Sequence, residues 1–123
     1  MFADLGPDEA MVGAVRAAKA AGVMTGLITN SWGMGIYDRA PLDLFDATVI
    51  SGDVGLHKPQ PEIYELACER LGIEPAAAVF VDDLRENCAG AEAVGMTAVL
   101  HRDSAETILK LEQLLGIELA AVA

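Results

Sequence analysis

The sequence has 123 residues, 53% of them hydrophobic, and a formal net charge of −11. That is one small domain over residues 1–123 with enough apolar side chains to bury a core, so wholesale disorder is excluded. An acidic surface repels phosphate backbones, which argues against nucleic acid as a partner. No apolar run reaches the roughly 18–20 residues of a membrane span. The start, MFADLGPDEA, carries acids where a secretion signal carries positive charge, so a cytoplasmic protein is expected.

Pro7, Asp8 and Glu9 open a first helix, proline and acids both suiting a first helical turn. It runs through VRAAKAA and stops at Gly22. VMTGLIT is a short apolar strand ending in Thr29, Asn30 and Ser31. Trp32 to Leu44 reads as a loop with one helical turn, and residues 47–51 (ATVIS) as a second strand. After a loop over Gly52–Lys58, PEIYELACERLG has apolar residues at helical spacing (Ile63, Leu66, Ala67, Leu71). Residues 77–82 (AAVFVD) are the clearest strand. Asn87 to Val94 is a helix of small residues, residues 97–101 (TAVLH) form another strand, and Ser104 caps a last helix through Leu115. Helices between short apolar strands predict an α/β, three-layer Rossmann-like core with a mostly parallel sheet. Cys68 and Cys88 fall on helices and, with no CxxC or Cys/His cluster, read as buried free thiols.

Three polar sites end strands or follow them: Thr29-Asn30-Ser31, Lys58 before Pro59, and Asp82-Asp83. In an open parallel sheet the carboxyl ends of the strands line the ligand crevice. Hydroxyl and amide groups donate to phosphate oxygens, and lysine adds a compact positive charge. Asp83 suits Mg²⁺, which takes one or two carboxylates together with substrate phosphate. Each residue also has a plainer role. Asp83 with Glu86 makes an acidic capping box, Thr29-Asn30-Ser31 a polar turn, and Lys58 a solvated loop residue. His57 and His101 have no partner at catalytic spacing and read as structural or exposed.

GLITNS, HKP with its following helix, VFVDDLRENCAGAEAVGM and TAVLHRD together resemble, in order, the motifs of the haloacid dehalogenase superfamily. The pattern is most similar to the subgroup containing the N-terminal phosphatase domain of soluble epoxide hydrolases. The resemblance implies that Thr29 and Asn30 bind phosphate and that Lys58 steadies the nucleophile and the transferring phosphoryl group. It implies Asp83 as the main Mg²⁺ ligand, Asp82 as a weaker candidate, and Asn87 as a support for Asp83 or the metal's waters. The substrate it implies is a small phosphorylated molecule.

The family's first motif, DxDx[TV], supplies the attacking aspartate at the end of the sheet's central strand. No such pattern occurs in this sequence. Nor does a segment match the family's cap domain. The expectation is therefore a core lacking its first, central strand and its cap, a truncated chain inactive alone. An unpaired gap in the sheet attracts a second copy, so a homodimer through that gap is a further expectation. The alternatives are a catalytically dead phosphate- or metal-binding or regulatory protein, and an oligomeric scaffold with a vestigial site.

Overall fold

A computed structural model of the chain describes residues 1–3, 9–29 and 45–117. In chain order the described elements begin with β1 (Phe2–Ala3), α1 (Glu9–Ala20), β2 (Gly26–Thr29), β3 (Ala47–Ile50) and α2 (Ser51–Val54). Then come α3 (Pro61–Leu71), a 3-10 turn at Pro75–Ala77, β4 (Val79–Asp82), α4 (Arg85–Ala93), β5 (Thr97–Leu100) and α5 (Ser104–Leu115). The strands form one sheet in the order β3-β2-β1-β4-β5, and every pairing is parallel. This is the α/β, three-layer architecture that the alternation of patterns predicts.

The centre of the sheet corrects one expectation. It is not empty: Phe2 pairs with Gly26 on one side and Phe80 on the other, and Ala3 pairs with Val81. Gly26 makes this fit. A Cβ there would lie 2.5 and 2.6 Å from two Phe2 ring carbons, closer than real atoms approach. With the gap occupied, the reason to expect a second copy pairing into it is removed.

Side-chain alternation along the strands builds two cores. Val79, Val81 and Val99 face α1 and α5, packing with Met11, Ala14, Val15, Ala18 and Leu111. Phe2, Ile28, Val49 and Phe80 face α3 and α4, packing with Ile63, Tyr64, Ala67, Cys68 and Ala91. Each large side chain fully buried in this way contributes about 1.5–3 kcal/mol. Cys68 and Cys88 are both buried free thiols on helices, as expected. Met11 and Met96 fill the core while Met24 is exposed; Met34 lies outside the described residues.

Other boundaries shift by local chemistry. The stretch after β3 begins with the short helix α2 rather than a loop. The last helix is capped by Asp103, whose carboxylate accepts from the Glu106 amide at 3.2 Å, and Ser104 is the first helical residue. Asp46, just before β3, accepts from the Thr25 amide at 2.8 Å and from Lys19 Nζ at 3.1 Å. The Thr25 amide, then Lys19, holds the Asp46 carboxyl below the usual carboxylate range. Among the described residues no helix is long and apolar enough to cross a membrane.

Candidate functional site

Because all strands run the same way, their last residues share one rim: Thr29 on β2, Ile50 on β3, Asp82 on β4 and Leu100 on β5. Phe2 sets Gly26 level with Phe80, so Thr29 stands one residue farther along its strand than Asp82. Two strand spacings of ~4.8 Å separate them across β1, about 10 Å. Thr29 is buried at 5% exposure. Asn30 lies outside the described residues, as do Ser31 and Trp32.

Asp82 shares the face of Phe80, two residues earlier, and so turns toward α3 and α4. Its Oδ2 accepts from Lys58 Nζ at 2.7 Å, and both side chains are 2% exposed. A loop lysine this deep is not solvated, so the plainer role for Lys58 is excluded. The loop between α2 and α3 brings Lys58 in, and its Nζ stands 5.7 Å from the centre of the Phe80 ring. That approach to the ring face adds a weak favourable term for the cation.

The remaining contacts nearly exhaust Asp82. Oδ1 accepts from the Leu84 amide at 2.9 Å, and the Asn87 side-chain amide lies 3.3 Å from both carboxylate oxygens. An ionised carboxylate offers about four acceptor positions. Asp82 is thus the partner of Lys58, Asn87 and Leu84 before it is anything else. The resemblance implies Asn87 as a support for Asp83 or the metal's waters; its observed side-chain partner is Asp82.

Asp83 follows β4 and is exposed on the same rim. It is not the cap of α4: that position falls on Leu84, which makes no side-chain cap bond. Among the described residues no group of three His, Cys, Asp or Glu side chains gathers for a metal. Among the described residues the rim holds the exposed Asp83 carboxylate next to the buried Asp82. That set matches the sparse protein coordination of Mg²⁺ and not the closed N/S sets of zinc.

Behind the carboxylate, Tyr64 donates its hydroxyl to the Asn87 carbonyl at 2.7 Å and meets Phe80 edge-to-face at 5.3 Å. Burial pushes the Tyr64 hydroxyl far above its ordinary range, with Asp82 adding to the shift. The Cys88 thiol is also raised, first by burial and then by Asp82. His57 is exposed and His101 is bound to Thr107 at 2.8 Å, in keeping with the reading of the two as structural or exposed.

A family model described as haloacid dehalogenase-like hydrolase matches residues 3–95. The chain belongs to the haloacid dehalogenase-like hydrolase family. Rat bifunctional epoxide hydrolase 2 is 32% identical over 119 residues, covering 88% of this chain and 21% of that protein. Sesquiterpene phosphatase astK of Aspergillus oryzae is 34% identical over 116 residues, covering 91% of this chain and 59% of that one. The chain therefore spans less than two thirds of these relatives. An uncharacterized Corynebacterium glutamicum protein of known structure superposes with a TM-score of 0.86 at 26% identity, covering 95% of this chain and 94% of its own. A haloacid dehalogenase family enzyme of Bacteroides thetaiotaomicron, crystallised with magnesium and inorganic phosphate, shares the fold. Its TM-score is 0.67 at 22% identity, covering 75% and 51% of the two chains.

In this family frame the sequence names the rim correctly and misses β1. A two-residue strand leaves no periodicity, and the only signal was Gly26, a glycine inside a strand. The correction matters, because Asp4 is the next residue in the chain after that central strand. Asp4 itself lies outside the described residues.

Proposed function

We propose that this chain carries the phosphate- and magnesium-binding part of a phosphatase-type haloacid dehalogenase-like site and is inactive in phosphoryl transfer alone. The observation that carries the reading is the buried Lys58–Asp82 pair at the carboxyl rim of a parallel sheet. Lys58 brings a positive charge to that rim. Asp82 orients the ammonium, Asn87 and the Leu84 amide orient Asp82, and Thr29 offers a hydroxyl across β1. With Asn30 following Thr29, these are the groups assigned to the phosphoryl oxygens.

Asp83 is the residue assigned to Mg²⁺, and Asp82, with its acceptor positions filled, is a poorer ligand. A bound Mg²⁺ would supply charge neutralisation for the phosphoryl oxygens. The residues of the chain bind and orient; the sequence lacks the DxDx[TV] pair that would attack phosphorus and protonate the leaving group. The substrate class is a small phosphate ester. The Mg-bearing neighbour and the phosphatase relative support this reading by likeness.

One observation favours a second reading. β1 occupies the central position from which the family's nucleophile extends, and Asp4 follows it in sequence. Two residues on stands Gly6 instead of a second acid. A chain with the nucleophile but not the acid would attack esters whose leaving group departs without a proton.

p-Nitrophenyl phosphate is such an ester. Its hydrolysis, with and without Mg²⁺, is to be measured for the wild-type chain, Asp83→Asn and Asp4→Asn, beside calorimetric Mg²⁺ binding. Mg²⁺ binding that Asp83→Asn abolishes, without turnover, supports the first reading. Mg²⁺-dependent turnover that Asp4→Asn abolishes supports the second. A chain that neither binds Mg²⁺ nor turns over overturns both.

A further inference from the structure

We propose that Gly90 and Tyr64 are positioning residues that set the Lys58 loop against Asp82. The ion pair joins two segments that lie 24 residues apart, the loop before α3 and the end of β4. What holds the loop at bonding distance is its contact with α4. At Gly90 the α4 backbone meets Pro59, the residue next to Lys58. A Cβ on residue 90 would lie 2.8 Å from Pro59 Cβ, 2.9 Å from the Pro59 carbonyl oxygen and 2.9 Å from the Tyr64 hydroxyl. Two of those three atoms belong to a proline ring and a backbone carbonyl, which have little freedom to move aside. An interior helical glycine is otherwise unfavourable. At residue 90 it lets helix and loop touch.

Tyr64 sets the other side of the same contact. It is fully buried, and its hydroxyl donates to the Asn87 carbonyl of α4 at 2.7 Å while its ring rests edge-to-face on Phe80. Asn87 in turn reaches both oxygens of Asp82. One residue of α4 thus supports the carboxylate with its side chain and is fixed through its carbonyl by Tyr64. Three residues further along, the missing side chain of Gly90 admits the loop that delivers the cation. The two residues together decide whether Asp82 has an ammonium on one side and an amide on the other.

The inference rests on the proposed function only for its effect on ligand binding; the placement of Lys58 has its own readout. The chain has three lysines, at 19, 58 and 110. A buried, ion-paired ammonium exchanges its protons slowly enough to be seen in a ¹H–¹⁵N correlation spectrum, whereas exposed ones are not. Lys19→Arg and Lys110→Arg assign the signal to Lys58. The comparison is wild type, Gly90→Ala and Tyr64→Phe, with thermal melts and Mg²⁺-supported orthophosphate binding measured beside it.

The expected result is a protected Lys58 ammonium in wild type. In Gly90→Ala that signal is lost, or its exchange quickens by about tenfold or more, the scale of one lost bond to a charged group. Tyr64→Phe keeps the ring on Phe80 and should quicken exchange in the same direction, so it decides the matter if Gly90→Ala does not fold. No protected ammonium in wild type overturns the proposal. So does a variant pair that lowers the melting temperature yet leaves the ammonium signal unchanged, since that is a packing role alone. If wild type fails to bind Mg²⁺ or orthophosphate while the ammonium responds as expected, the functional reading falls and the positioning role stands.

Discussion

Lys58→Met is the substitution with the largest consequence for the fold. Methionine keeps most of the stem packed near Phe80 and removes only the charge. Asp82 then remains 2% exposed without the cation at 2.7 Å, holding only the Leu84 and Asn87 amides. Breaking a buried pair from one side costs about 3–5 kcal/mol, because a charge is left uncompensated in a poorly polarisable interior. A domain of this size has about 5–15 kcal/mol in total. At about 4 °C per kcal/mol the melting temperature should fall by roughly 10–20 °C. Urea and thermal melts of wild type, Lys58→Met, Asp82→Asn and the double variant measure the terms. The double variant buries no net charge and should recover most of the loss. A single-variant cost below about 1 kcal/mol is what a solvated pair shows, and would refute the argument from burial.

Three further outcomes are expected. Gly26→Ala places a methyl against the buried Phe2 ring and should cost about 1–3 kcal/mol by overpacking, with loss of amide protection in β1; an unchanged melt would mean that Phe2 is not seated there. Burial lowers the pKa of the Met1 α-amino group, which donates to the Met24 carbonyl at 2.8 Å, from 8.0 to about 6. Between those values the unfolded chain binds more protons than the folded one, so stability should rise from pH 6 to pH 8 by about 2 kcal/mol, and a flat urea-midpoint profile would contradict it. Cys68 and Cys88 are buried with thiols pushed upward, so a colorimetric thiol reagent should label neither in the native chain and both in denaturant.

The strands that read clearly in sequence are those buried on both faces. Val79–Asp82 and Gly26–Thr29 are continuous apolar runs with polar ends, and that transition locates the rim. Lys58 and the Asp82-Asp83 pair were visible because motif order named them. Which aspartate goes inward was not visible, since neighbours on a strand end differ only in the face they take. Phe80 settles it: Asp82 shares its side, so it meets Lys58 and Asn87. The caps were misplaced by one residue for a similar reason, Asp103 and Ser104 being adjacent residues of equal capping ability. β1 escaped because two residues have no period, and its evidence lies in Gly26 and Phe80, far off in the chain.

The two-residue β1 makes the sheet's cooperativity depend on very little backbone. On one side lie β2 and β3 with α3 packed on them; on the other lie β4 and β5 with α4. Phe2 and Ala3 are the only described strand residues that hydrogen-bond both halves into one sheet. Such a bridge is closed late, because its partner Phe80 is distant in sequence and loop-closure entropy must be met first. Release of Phe2 would leave the two halves joined only through the helices and side chains packed across them. Lys58 arrives from the segment that follows β3, while Asp82 ends β4, so their ion pair joins the two halves of the rim, and among the described strands the shortest sets how those halves align.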